Sequence, residues 1–311
     1  MLKKIIIKIF GRKLISFIRF KPFLVHGKYR QIIQDLEKFS KVNESNGEAD
    51  PYKSLILVRK YGHFLDKGLH RKDVKKGHSK DVVLTLKKNI LIAEKSYPDN
   101  EAILWAKDKL KIYDDLQLDG VISPLKEERE NESQIEFDDL FLLMRNRRSI
   151  RLFQNKIVED TIIEKISATV NWASSSCNKQ PINLYATTNP EIAKLCIRCC
   201  KGGTGFGDFI PAFICFTGDM RGYVHPKEAY GPSIDVSLGA QNFLLAAETV
   251  GLGSTALSWA FKDDIEDQQL RKLLSIPETS QIIFNVVIGY PAKYAITPAR
   301  KSLNHTIKIC N

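Results

Sequence analysis

Residues 172–181, WASSSCNKQP, crowd three serines, a cysteine and two side-chain amides into one short stretch. Asn178 and Gln180 can each donate and accept, which suits the alternating edge of an imide. Ser175 and Ser176 lack the GxSxG turn of a hydrolase nucleophile. Cys177 has no histidine close by in sequence, so a thiol–imidazole pair is weakly supported. The plainer reading is a turn whose hydroxyls and amides satisfy their own backbone.

A second cluster, RNRRSIRLF, places Arg147, Arg148, Ser149 and Arg151 within five residues. Arginine forks match phosphate oxygens, and serine adds a neutral donor. In an extended segment, Arg147, Ser149 and Arg151 would point the same way. Taken alone, a solvated basic turn accounts for the cluster as well. KGGTGFGDF, residues 201–209, lacks GxxxxGK[ST] and precedes a strand, so it reads as a flexible loop. In GLGSTALSWAF, residues 251–261, a helix ends at Gly251 and Gly253 permits a close turn into a strand. The end of that strand, Ser258-Trp259, can aim backbone N–H groups at a ligand, although a plain connection would look the same. In YGHFLDKGL, residues 61–69, His63, Asp66 and Lys67 could meet a polar group. The alternative is a helix end capped by Gly68.

These residues need elements to hold them. A helix over 159–172 leads into the serine loop, which leads into a strand over 182–188. The helix FDDLFLLMRNR precedes the arginine cluster, and Asn189-Pro190 opens another. AFICFTG, LGSTALSW and QIIFNVVIGY read as strands. The helix over 233–250 turns Val236, Ala240, Phe243, Leu244 and Ala247 to one side. This alternation predicts a sheet with helices packed on it. Residues 29–118 read as all-helical, with a cap expected at Ser79 and a helix start near Pro98. Residues 119–136, DGVISPLKEERENESQIE, are the expected linker.

The chain has 311 residues, 43% hydrophobic and 27% charged, enough for a packed core. Its six cysteines include one CxxC pair, Cys196 and Cys199, but no second pair to complete a zinc pattern, so neither a disulfide framework nor a zinc site is expected, and a reducing cytoplasm fits. The net charge of +11 is concentrated in residues 1–30, which carry Lys3, Lys4, Lys8, Arg12, Lys13, Arg19, Lys21, Lys28 and Arg30 and no acid. The remainder is almost neutral, which argues against a nucleic-acid face. Charges interrupt every apolar run of residues 1–28, so they form neither a secretory segment nor a membrane span. Two readings remain for this basic amphipathic segment: residues 1–22 lie on an anionic membrane, or they dock on the chain's own core.

RRSIRLF, WASSSCNKQP, LGAQNFLLAAETVGLGSTALSW and NVVIGYPAK together resemble the nitroreductase-like FMN-dependent flavoprotein family, in its order and at roughly its spacing, over residues 137–311. The resemblance implies an α+β fold with a central, mostly antiparallel sheet, preceded here by an all-helical region. It implies a homodimer with FMN bound between the subunits. Arg147, Arg148 and Ser149 would hold phosphate and ribityl, with Arg151 near the N1/C2=O edge. Ser175, Ser176 and Asn178 would cover the ring from the other subunit. Ser258-Trp259 would offer a backbone N–H near N5, and Arg300 with Lys301 would complete the phosphate site. The implied activity is hydride transfer from NAD(P)H through the flavin to an organic oxidant such as a nitro compound or quinone, with no protein nucleophile and no metal.

Departures from the family pattern bear on the substrate. Ser174 stands where the family commonly has proline, Trp259 would narrow the substrate face, and the loop 218–232 is short. The stretch 61–69 is similar to one in family members associated with bacterial surface-polysaccharide synthesis. The cysteine usage and the basic residues 1–22 together lead to the expectation of a cytoplasmic protein peripheral on the inner face of the membrane. The alternative is a non-enzymatic subunit of a membrane-associated polysaccharide assembly.

Overall fold

The computed structural model describes residues 27–44, 50–120, 134–260 and 262–310. The membrane-or-core question for residues 1–22, and the expected linker over most of its length (121–133), lie outside the described residues.

Among the described residues of the first half run the helices α1 (Gly27–Glu44), α2 (Pro51–Leu69), α3 (Lys80–Ala93) and α4 (Glu101–Asp119). Apolar residues at helical spacing bury Leu55, Val58, Leu65, Leu86, Ile90, Ile103, Ala106 and Leu110 in one core. Asp50 caps α2, accepting from the amides of Tyr52 (2.9 Å) and Lys53 (3.1 Å), with Pro51 at the first turn. α4 starts at Glu101, capped by Asn100 rather than at Pro98. Ser79 does not cap α3: its φ is 61° and its hydroxyl turns to His78 Nδ1, 2.6 Å away. Gly68 is no cap either. It is buried inside the last turn of α2, where an added Cβ would lie 2.9 Å from Ser79 Oγ.

The second half comprises α5 (Phe137–Asn146), α6 (Asp160–Ser167), β1 (Ile182–Thr187), α7 (Pro190–Arg198), β2 (Ala212–Asp219), α8 (Gly231–Thr249), β3 (Gly253–Ser258), α9 (Asp264–Leu274) and β4 (Ser280–Gly289). The expected helix over 159–172 is thus divided, since 168–172 tighten into a 3-10 turn. The strands form one antiparallel sheet in the order β1-β2-β4-β3. Strand alternation sends Phe213, Cys215, Leu257 and Val287 into a core with α7 and α9. It sends Ala212, Ile214, Phe216, Val286 and Ile288 into a core with α6 and α8. On α8, Val236, Ala240, Phe243 and Ala247 are buried and Leu244 packs against them, the face read from the sequence.

The helical half is fastened to the end of β2. Arg221 pairs with Asp219 (2.6 Å) and with Asp50, the cap of α2 (2.8 Å), and lies over the Tyr52 ring. Burial pushes the Asp50 carboxyl up, but Arg221 and the capped amides outweigh it and hold it below the ordinary value. Burial likewise acts against Asp267, and Arg271, Lys262 and the Trp259 indole outweigh it. A carboxyl held lower in the fold than in the unfolded chain stabilises fully above its unfolded value, about 4, and loses that contribution as pH falls through the folded value. Acid unfolding is therefore expected to steepen below about pH 4, and Asp267→Asn should flatten that slope. Circular dichroism between pH 5 and pH 2 measures it, and an equal slope in both chains would refute the assignment.

Candidate functional site

The arginine cluster follows α5 and runs beside β3. Ser149 forms a parallel bridge with Ser254, the Ile150 amide donates to Ser254 O (3.1 Å), and Thr255 Oγ1 donates to Ile150 O (2.6 Å). Arg148 donates to the carbonyls of Arg145 and Arg147, and its Nη2 donates to Thr297 Oγ1 (2.7 Å) on the C-terminal tail. Arg300, three residues farther along that tail, bonds among the described residues to the carbonyls of Pro298 and Ala299. Among the described residues no carboxylate forms an ion pair with Arg147, Arg148, Arg151, Arg300 or Lys301. Burial pushes the Glu248 carboxyl up, and the charges of Arg147 and Arg148 only partly oppose it. The cluster is thus a cationic end with open donors.

The serine loop is a built element. Cys177, Asn178 and Gln180 adopt φ of 54°, 55° and 48°, the left-handed region that non-glycine residues seldom occupy. Ser175 Oγ accepts from the Gln180 amide (3.0 Å), and the Ser176 amide donates to Asp235 Oδ2 (2.9 Å). Tyr223 donates to the same Oδ2 at 2.6 Å. Beneath the loop Lys179 is fully buried. Its Nζ meets Glu228 Oε1 at 3.1 Å and Ser176 Oγ at 3.3 Å, and lies 4.5 Å from the centre of the Tyr223 ring. Gln180 Nε2 donates to Asn178 Oδ1 (2.8 Å), which leaves Asn178 Nδ2 as a donor and Gln180 Oε1 as an acceptor, and both residues line a cleft.

Lys179, Tyr223, Glu228 and Asp235 were not legible as loop supports, because a lysine among polar residues reads as solvated. The loop 218–232 supplies two of them from a pair of 3-10 turns. The sequence also gave no sign of Arg59, whose Nε donates to Lys179 O (3.0 Å) from α2.

Ser258 is exposed at the end of β3, its hydroxyl accepting from the Ala260 amide (3.2 Å). Trp259 departs from expectation. The residue is only 4% exposed, packed in the core with the indole N–H on Asp267 Oδ1 (3.2 Å). Buried there, it does not narrow a substrate face. Its backbone remains at the strand end. Asp66, expected to serve a polar group with His63 and Lys67, is instead paired with Lys109 (2.7 Å).

The two clusters are far apart in one chain. Ser149 lies by Ser254, which pairs with Ile288 near the end of β4. The serine loop enters β1 at Ile182, opposite Gly218, which pairs with Gln281 near the start of β4. From Gln281 to Ile288, roughly 23 Å of strand separates them, and the three inter-strand gaps add roughly 14 Å sideways. One flavin mononucleotide does not bridge that distance.

The nitroreductase family model matches residues 144–202 and 200–290. An Archaeoglobus fulgidus protein named as an NADH dehydrogenase/NAD(P)H nitroreductase is 30% identical over 157 residues, covering 50% of this chain and 86% of that protein. One of the same name from Methanothermobacter thermautotrophicus is 26% identical over 196 residues, covering 61% and 90%. Among solved structures, a nitroreductase-like protein from Streptococcus mutans has a TM-score of 0.50 at 16% identity, covering 57% of this chain and all of that one, a likeness of fold alone.

Proposed function

The chain belongs to the nitroreductase family, and on that premise we propose that it is an FMN-dependent NAD(P)H oxidoreductase whose two flavin sites are each built from both chains of a homodimer. The observation that carries this reading is the separation of the cationic end from the serine loop within one chain. A site using both needs a second copy.

The residues fit the cofactor. The cationic end offers guanidinium donors without carboxylate partners, suited to a phosphate, and Ser149 adds a hydroxyl beside them. The serine loop offers an amide donor next to an amide acceptor, suited to an imide edge. The chemistry supplied at such a site is the flavin's own, relay of a hydride from NAD(P)H to an organic oxidant such as a nitro compound or quinone. The protein's part is to bind and orient. Arg147, Arg148 and Ser149, with Arg300 and Lys301 from the tail, take the phosphate and ribityl. Arg151 supplies positive charge where negative charge develops. Ser175, Ser176 and Asn178, held by buried Lys179 and Asp235, close the ring from the partner. Ser258 and Trp259 present backbone at the end of β3, and Asp267 fixes the indole away from it.

A partner face is available. On α5, Phe137, Leu140, Phe141, Leu142 and Met144 are all exposed, and none of that helix is buried. Ile234 and Leu238 are exposed on α8. An apolar surface of this kind marks an interaction site.

The visible spectrum of the purified protein tests the reading, with flavin bands near one FMN per chain expected. Arg147→Ala should weaken FMN binding about 10- to 100-fold, since a lost charged hydrogen bond costs about 1.5–3 kcal/mol. Fluorescence titration measures it, and unchanged affinity would remove Arg147 from the site.

The finer part of the proposal concerns location. Among the described residues no helix is long and apolar enough to cross a membrane. A role beside surface-polysaccharide synthesis rests on the resemblance at residues 61–69, and membrane contact rests on the charge of residues 1–22. Each basic residue near an anionic surface contributes about 1 kcal/mol. Anionic liposomes should therefore pellet the full chain and leave residues 23–311 in solution. Equal pelleting would dismiss the anchor.

A further inference from the structure

Arg59 and Trp105 face Asn178 and Gln180 across a cleft of about 610 Å³, where α2 and the start of α4 meet the serine loop. The helical half builds its wall with care. Gly62 stands one turn after Arg59 on α2, and an added Cβ there would lie 2.5 Å from the Trp105 ring. Only glycine lets the indole lie against the helix. Lys109 sits 5.9 Å from the centre of that ring and is itself held by Asp66. Gly62 and Asp66, in the stretch 61–69, thus help to position Trp105.

Arg59 is half-buried, and among the described residues it has no carboxylate in ion-pairing range. Its Nε is spent on Lys179 O. Burial lowers its pKa, with Tyr52 and the charge of Asp219 opposing. The nearest acids on the cleft, Asp99 and Glu101, are exposed at its mouth, where water screens them. A half-buried guanidinium without a carboxylate gains from an anion, and an indole gains from a planar ring.

We propose that this cleft binds an anion-bearing planar molecule, with Arg59 taking the anion and Trp105 the ring. The helical half then adds a specificity wall beside the serine loop. Two sources share this chemistry: an aromatic oxidant with a carboxylate, or the phosphate-bearing nicotinamide donor. Only the choice between them rests on the oxidoreductase reading; the binding does not.

Calorimetry on the purified full-length protein tests it with 4-nitrobenzoate, neutral 4-nitrobenzyl alcohol and NADP+. Arg59→Gln should weaken 4-nitrobenzoate or NADP+ at least about tenfold, and leave the alcohol within about twofold of wild type. Loss confined to 4-nitrobenzoate assigns the cleft to the oxidant, and loss confined to NADP+ assigns it to the donor. Gly62→Ala, remote from the Lys179 carbonyl, should displace the indole and weaken the anionic ring compound as well, so the proposal survives an Arg59 variant that does not fold. Flavin absorbance on the same samples judges the cofactor reading separately. Wild-type affinity of Arg59→Gln and Gly62→Ala for both anions would overturn the proposal, as would no binding of either anion to the wild type.

Discussion

Arg147→Ala and Asn178→Ala chains, each poor in flavin alone, are expected to regain flavin when unfolded together and refolded as a mixture. The reason is the distance between the cationic end and the serine loop. If each site draws Arg147 from one chain and Asn178 from the other, a mixed dimer has one site with both defects and one with neither. Half the dimers in an equal mixture are mixed, so about a quarter of all sites are intact by two-fold symmetry. Flavin absorbance and FMN titration of the mixture against each parent read the result directly. Recovery at wild-type affinity in that fraction of sites requires a shared site. A mixture that binds no more than the mean of its parents would mean that one chain builds the whole site. Dilution of the wild-type protein should release flavin for the same reason, because assembly and binding are linked at a shared site.

The legibility of these features in the sequence follows the range of the interactions that create them. The four strands were readable because alternation is local: Phe213 and Cys215 face one core while Ile214 and Phe216 face the other. The α8 face was readable because Val236, Ala240, Phe243 and Ala247 repeat at helical spacing. The misread ends were also local, but tertiary contacts decided them. Ser79 forgoes its cap role for His78, and Gly68 is glycine because Ser79 presses on it. Trp259, read as a surface residue at a strand end, is drawn inward by Asp267 on the following helix. Arg59 was invisible because its partner carbonyl is 120 residues away. No pattern in either segment announces such a pair. The arginine cluster and the serine loop stood out by composition, but the distance between them came only from strand register.

Lys179→Met should lower the unfolding free energy by an amount near the lower end of the ~3–5 kcal/mol that breaking a buried ion pair costs. Lys179 is fully buried while Glu228 is 33% exposed, so the orphaned carboxylate recovers some hydration and the loss stays below the upper end. Burial pushes Glu228 up, and the His225 amide and Lys179 hold it below its ordinary value. Without Lys179 that second restraint disappears, and the Ser176 hydroxyl loses its donor. The loop above then loses its clamp. Its left-handed residues Cys177, Asn178 and Gln180 each store roughly 1–3 kcal/mol of backbone strain, which persists only while surrounding contacts enforce it. Flavin content is therefore expected to fall along with stability, although Lys179 itself is buried beneath the loop. Glu228→Gln should reproduce part of the stability loss, and the double variant should lose less than the two single losses added, since both remove one interaction. Urea unfolding and flavin absorbance on the four proteins decide it. Additive losses would show that the pair is not the clamp, and full flavin content in Lys179→Met would show that the loop holds its shape by other means.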